Sequence, residues 1–325
     1  MLHTQATIHT TQTHAHQPHA AADHHRSFLI VAGPGRAQNA ALTCASVLQQ
    51  GGHRVDFFWT AQQAPRHLAS HIRLGQYDVT VACGGDGTLG MVANAIMAAG
   101  EHRSAMAIIP AGTANDFARS VGLLDLSPRE LATLMAHGTP QPIDLGQVND
   151  RLFVNFASGG IGAEITTNTP KALKRALGGG AYLATGVVMS LTGGPRQVSL
   201  RGPGFQWSGP VIYLGIGNAR LAGGGFAVSK RFALNDRLLD LTVIPDLSGA
   251  PLWDMLGKLV RHRAVPQNYA TFKQLPWLEI DAPNGLQVNA DGEPLTSDHF
   301  RFGLHGQQLP VFLPGTHRCD SRRSA

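Results

Sequence analysis

From Phe28 onward, short apolar runs alternate with longer stretches whose apolar residues recur every three or four positions. "FLIVA" leads through a Gly-Pro-Gly turn into the helix-patterned "AQNAALTCASVLQQGG", and "HRVDFFW" precedes the helix-patterned "APRHLASHIRLG". "YDVTVA" reads as a buried strand, "TLGMVANAIMAAG" as a helix closed by glycine, and "AMAIIP" as another strand. "GTANDFARSVGL" and the helix-like "SPRELATLMAHG" follow. Strands alternating with helices predict a mostly parallel sheet wrapped in helices, an α/β domain. Ligands of such sheets bind beyond the carboxyl ends of the strands.

The texture changes after "TPQPIDLGQV". "RLFVNFA", "RQVSLRG", "GPVIYLGIGN", "LLDLTVIP", "WLEIDA", "LQVNADG", "HFRFGL" and "QLPVFLP" are short β-rich runs separated by Gly, Pro or Asp/Asn turns. They predict an antiparallel, sandwich-like second domain, interrupted by helical segments near 169–192 and 249–263. The expected division is a disordered His-rich tail (1–27), an α/β nucleotide-binding domain (28–141), a β-rich domain (142–315) and a short tail (316–325). The last strand of the β-rich part is a candidate to rejoin the first sheet. The active site is expected in the cleft between the domains.

Composition narrows the field modestly. Apolar residues make up 43% of the 325 and charged residues 14%, a globular balance. The formal net charge of +5 points to an anionic partner: a phosphate ligand, a nucleic acid or an anionic membrane surface. Cys44, Cys83 and Cys319 form no CxxC pair, which argues against a metal or disulfide framework and for a reducing cytoplasm. The longest apolar stretch, "AYLATGVVMSL", has eleven residues, too few to span a bilayer as a helix. A soluble, cytoplasmic protein is the expectation.

"CGGDGTLG" (83–90) holds four glycines in eight positions where a buried strand hands over to a helix. First-turn amides are unpaired there and the helix dipole is positive, so an anion fits if no side chain blocks it. Asp86 among those donors can hold a cation or orient a hydroxyl. Thr88 can cap the helix or touch a phosphate oxygen. The alternative is a glycine turn serving only tight packing. A second junction, "IIPAGTANDFAR" (108–119), sets Gly112 and Thr113 in the same position, and "AGPGRAQ" (32–38) adds a third glycine turn. The P-loop, dinucleotide and protein-kinase motifs are missing.

"GGDGT" (84–88) followed by "PAGTANDFAR" (110–119) resembles the diacylglycerol kinase catalytic-domain family, and within it the YegS-like bacterial lipid kinases. "IDLGQVN", "FASGGIGAEITTNTPKALKRALG", "GIGNARLAGGG", "LNDRLLDL" and "NADGEPL" extend the likeness from about residue 28 to 314. The resemblance implies an ATP-dependent kinase acting on a lipid hydroxyl. By motif match, ATP would be held by Gly84, Gly85, Asp86, Gly87, Thr88, Leu89, Gly90, Met91 and Thr113, with Thr60 as the threonine after the second strand. Glu293 of "DGEPL" would be the catalytic base, with Asp86 also catalytic. A structural Mg²⁺, or Ca²⁺ with the same oxygen donors, would take Asp236 and the carbonyls of Ala233 and Leu238.

The chain departs from the family pattern in three places. After Thr88 it reads Leu89, Gly90, Met91 instead of x-Asn-Glu; the first loop is "AGPG" without the usual Asn; and Arg237 follows Asp236 where glycine is usual. Read without the family, "VNADGEPL" is a β-hairpin with an Asp-Gly turn, and Asp236 is a turn residue as readily as a ligand. Lys171, Lys174 and Arg175 open an apolar segment that can lean on an anionic bilayer or be a solvated face.

The reading is a cytoplasmic lipid kinase, peripheral at the inner membrane face, meeting a diacylglycerol- or phosphatidylglycerol-like lipid transiently and binding no nucleic acid. Two rivals remain: a kinase of a soluble hydroxyl resembling NAD kinase, and a lipid- or nucleotide-binding module without turnover.

Overall fold

The computed structural model describes residues 25–160, 195–219, 221–222, 226–227, 233–246, 258, 261–262 and 267–315. The tail before residue 25, the helical segment expected at 169–192 with Lys171, Lys174 and Arg175, and all but three residues of that expected at 249–263 lie outside them.

The first half runs β1 (Ser27–Ala32), α1 (Arg36–Gln50), β2 (Arg54–Trp59), α2 (Leu68–Gly75), β3 (Val79–Gly84), α3 (Asp86–Ala98), β4 (Ala105–Pro110), α4 (Asp116–Ser120), α5 (Pro128–His137) and β5 (Gln141–Ile143). The second runs β6 (Gly146–Val148), β7 (Arg151–Phe153), β8 (Phe156–Gly160), β9 (Arg196–Gly202), β10 (Phe205–Gly217), β11 (Leu221–Ala222), β12 (Phe226–Ala227), β13 (Leu239–Pro245), β14 (Thr271–Leu275), β15 (Leu278–Ala290), β16 (Glu293–Leu304) and β17 (Leu309–Val311).

Strands β1 to β4 pair in parallel, because each is followed by a helix that crosses over the sheet. The order is β2-β1-β3-β4-β17-β5. Phe28 to Ala32 are fully buried along β1, as a strand covered on both faces requires. The chain steps from β1 outward to β2 and then back past β1 to β3, so the order reverses between β1 and β3. That reversal opens a crevice at their carboxyl ends. β17 leaves the second domain and lies between β4 (parallel) and β5 (antiparallel).

The second sheet is antiparallel, ordered β14-β13-β10-β8-β15-β16-β6-β7, with β9 pairing both β10 and β15. β8 and β9 thus fill one slot end to end between two thirteen-residue strands. The runs "WLEIDA" and "LQVNADG" prove to be one strand, β15. Its register with β16 shifts between Asp281 and Leu286, where Pro283 and the positive-φ Gly285 (φ +74°) fall. Val198, Leu200, Leu214, Ile280, Val288, Phe300 and Phe302 belong to its core.

Helix α3 joins the halves. Gly87, Gly90 and Asn94 stand on one helical face by their spacing of three and four. Asn94 Nδ2 donates to the Leu152 carbonyl at 2.8 Å, and the Leu152 N–H donates to Asn94 Oδ1 at 3.2 Å. In the first domain, two strand-end loops touch: a Cβ on Gly112 would lie 2.4 Å from the Gly85 Cα and 2.7 Å from Asn115 Oδ1. Gly112→Ala should therefore lower stability by about 1–3 kcal/mol through overpacking. Gly303→Ala, in β16 with open space around it, should change stability by less than about 0.5 kcal/mol. Equal denaturation midpoints for the two variants would contradict the loop contact.

Candidate functional site

Three strand ends carry glycine turns onto the crevice: Gly33–Gly35 after β1, Gly84–Gly85 at the end of β3 and Gly112–Thr113 after β4. Helices α1 and α3 start there with Gly35 and Gly85 as N-caps, and neither receives a side-chain cap. The contrast is α5, where Ser127 and Glu130 form a complete capping box. Two helix N-termini thus face the crevice with glycine N-caps that offer no side-chain oxygen to the first-turn N–H groups, and with positive dipole ends. That is the physical requirement of a phosphate site.

The expected ATP residues occupy this region in different ways. Thr60 borders the first turn: its N–H donates to the Ala32 carbonyl at 3.0 Å, and its Oγ1 would sit 3.5 Å from a Cβ on Gly33. Gly84 leaves room for Thr88, whose Oγ1 would lie 2.3 Å from an added Cβ. Thr113 is exposed at the third loop and Gly87 at the first turn of α3. Leu89 is 3% exposed, its side chain part of the first core, and Met91 packs against that core. For Leu89, only the main chain remains for a ligand. Gly90 serves the domain contact, since a Cβ there would lie 2.9 Å from that of Asp291.

Asp86 holds the loops together. Its Oδ2 accepts the Asp116 N–H and its Oδ1 the Phe117 N–H, each at 3.1 Å, so it supplies the start of α4 with the cap its own N-cap residue, Asn115, does not. Asn115, at φ +49°, closes the same loop by accepting the Gly112 N–H on Oδ1 at 3.0 Å and returning Nδ2 to the Gly112 carbonyl at 3.1 Å. Burial pushes the Asp86 carboxyl upward from its ordinary range, against the pull of the Phe117 and Asp116 amides and the Arg119 charge.

From the second domain, the tip of the β15–β16 hairpin rests on this first turn. A Cβ on Gly292 (φ +98°) would lie 3.6 Å from the Gly87 Cα. Asp291, in the left-handed region at φ +48°, points inward and is 7% exposed. Its Oδ2 accepts the Val154 N–H at 2.6 Å, and its Oδ1 accepts the N–H of Asn155 at 3.1 Å and of Phe156 at 3.0 Å. Beside it, the buried Asn155 Oδ1 has no hydrogen-bond partner among the described residues. Glu293 opens β16 opposite Ala290, exposed, with Arg151 Nη1 of β7 at 3.5 Å from its Oε2.

Asp291, Asn115 and Arg151 were not singled out in the sequence. The Asp-Gly pair read as a turn, which it is; nothing local shows that its carboxylate turns toward amides some 135 residues earlier.

The bend Ala233–Leu238 lies at the domain junction. Asp236 Oδ1 accepts the Leu238 N–H at 3.1 Å, and the neighbouring Arg237 guanidinium is bonded to Asp144. One carboxylate already serving its own turn, next to a fixed cation, fits a divalent ion poorly even though the donors are oxygens. Among the described residues, no three His, Cys, Asp or Glu side chains are grouped to hold a metal. The expected metal set of Ala233, Asp236 and Leu238 thus falls on one bend whose single carboxylate also accepts its own turn's N–H. Among the described residues no helix is long and apolar enough to cross a membrane.

Comparison with known proteins places these features in a family context. The family model for the diacylglycerol kinase catalytic domain matches residues 26–148, and that for the YegS C-terminal NAD kinase beta sandwich-like domain matches 157–313. A Pseudomonas putida protein named "probable lipid kinase YegS-like" is 39% identical over 297 residues, covering 89% of this chain and 95% of the relative. One of the same name from Xanthomonas euvesicatoria is 41% identical over 268 residues, 79% of this chain and 85% of the relative. A crystal structure described as a diacylglycerol kinase from Bacillus anthracis shares the fold, with TM-score 0.69 and 22% identity over 89% of this chain and 97% of that one.

Asp291 offers a titration test. Burial pushes its carboxyl up from 3.8 to about 7, with Asp86 adding to the rise and the Phe156, Val154 and Asn155 amides opposing it. The folded protein then binds a proton that the unfolded chain releases. That contribution to stability is complete below the unfolded value and is lost as pH rises through the folded one. Wild type should lose more stability than Asp291→Asn between about pH 5 and about pH 8. Identical slopes in pH-dependent melting would show that Asp291 does not hold the proton.

Proposed function

The chain belongs to the diacylglycerol kinase catalytic-domain family and its YegS-like lipid kinases, and from that premise we propose that it transfers the γ-phosphoryl group of ATP to the hydroxyl of a diacylglycerol- or phosphatidylglycerol-like lipid. The observation that carries the reading is a juxtaposition. Two helix N-termini with glycine caps lie at the reversal point of a parallel sheet, and a hairpin tip from the other domain, followed at once by the exposed Glu293, rests on the first turn of one of them, α3.

In this reading the amides after Gly35 and Gly85 receive phosphate oxygens, with Thr60, Thr88 and Thr113 as hydroxyl partners at the rim. Phosphoryl transfer is mainly positioning and electrostatics, so fixed donors at strand ends suit it. Asp86 contributes by joining the walls of the β3 and β4 junctions through the α4 amides. Glu293 accepts the proton of the lipid hydroxyl as it bonds to phosphorus. Arg151 limits the directions Glu293 takes; as an exposed pair it adds little stability. Mg²⁺ arriving with ATP supplies charge neutralisation of the phosphates. The lipid is met at a membrane surface without a spanning helix from the described residues.

Incubation with labelled ATP, Mg²⁺ and a total lipid extract should give a labelled lipid. Glu293→Gln keeps the shape of the side chain but cannot take the proton. Its kcat should fall roughly 10²–10⁴-fold, while titrated ATP affinity stays near wild type because the nucleotide contacts lie on the first domain. Retention of kcat within a few-fold would place the base elsewhere. ATP binding with no labelled lipid would favour a binding module instead.

A further inference from the structure

Both segments that cross between the domains pass one buried carboxylate. Asp144 lies on the way from β5 to β6 and is 1% exposed. Its Oδ2 accepts the Arg237 main-chain N–H at 2.7 Å, and its Oδ1 accepts Arg237 Nη1 at 3.1 Å and Gln308 Nε2 at 2.9 Å. The same Nη1 donates to the His305 carbonyl at 3.0 Å. His305 and Gln308 belong to the returning segment between β16 and β17. The Asp144 N–H is itself given to the Leu234 carbonyl at 2.6 Å, which draws the bend into the junction.

A carboxylate removed from water is strongly unfavourable unless a positive partner and hydrogen bonds satisfy it. Arg237 is that partner, and it reaches Asp144 from a left-handed backbone at φ +61°. Glycine would take this conformation without strain; arginine does so only where its side chain compensates. The bend next to it is a poor divalent-ion site, for the reasons given above.

We propose that Arg237 is the built-in cation of the domain crossover: its guanidinium neutralises Asp144 and ties the outgoing and returning segments together, in place of a divalent ion at the Ala233–Leu238 bend. The proposal goes beyond the kinase reading and stands or falls separately from it. A guanidinium cannot be stripped by chelation and is always charged. The junction therefore keeps its closure when free divalent ions are scarce.

The test is thermal unfolding of the full-length, nucleotide-free protein in EDTA and in millimolar Mg²⁺ or Ca²⁺. Wild-type Tm should agree within about 1 °C across these conditions, since no ion binds the native junction. Arg237→Gly relaxes the backbone and leaves Asp144 buried without its cation, so Tm should drop on the order of 5–10 °C. Adding Asp144→Asn to that variant removes the stranded charge and should recover part of the loss. The proposal is overturned if Arg237→Gly melts with wild type. It is equally overturned if Mg²⁺ or Ca²⁺ raises the wild-type Tm and Asp236→Ala abolishes that gain. Should Arg237→Gly fail to fold, the ion response of the wild type and of Asp236→Ala decides alone.

Discussion

The arrangement of the cleft depends on where the buried carboxylate of Asp291 finds its hydrogen bonds. Taking it out of water is unfavourable, and only donors fixed in direction compensate. Three successive amides, Val154 to Phe156, supply them from the segment that leads into β8. With Asp291 anchored there, the tip of the β15–β16 hairpin has no choice but to lie on the first turn of α3, and the helix yields space at Gly87 and Gly90. Glu293, two residues further on, thereby follows directly on the Gly292 that rests on this first turn. Domain contact and candidate chemistry share one anchor.

Two carboxylates flank that helix end, and both are consumed by amides. Asp86 spends its oxygens on α4 and Asp291 spends its own on β8. Left unpaired, either would repel a phosphate at the N-terminus of α3. Bound to N–H groups, each becomes a strut: Asp86 joins the β3 and β4 loops, and Asp291 joins the domains. Burial is the main cause of the upward shift of Asp291, and the nearby charge of Asp86 adds to it. The positive ends of α1 and α3 are what remain for an anion.

Much of this was legible along the chain, for identifiable reasons. Parallel strands in a helix-covered sheet bury both faces, so "YDVTVA" and "AMAIIP" announce themselves, and glycines at strand ends mark places where main chains must approach. The same glycines carry packing that the sequence does not show: Gly90 gives room to Asp291, and Gly112 is the contact surface of Gly85. The sequence likewise shows Asp236 as a turn carboxylate but not that Arg237 beside it reaches Asp144, some ninety residues away. Partners so distant leave no periodic trace, and a turn residue looks alike whether its side chain meets solvent or a buried amide.

The most direct measurement of the central claim is the structure of the protein with a non-hydrolysable ATP analogue and Mg²⁺. The account predicts the phosphates against the first-turn amides of α1 and α3, with the Glu293 carboxylate on the side where the terminal phosphate meets the second domain. An analogue seated away from those helix ends, or one whose terminal phosphate points away from the hairpin tip, would contradict it.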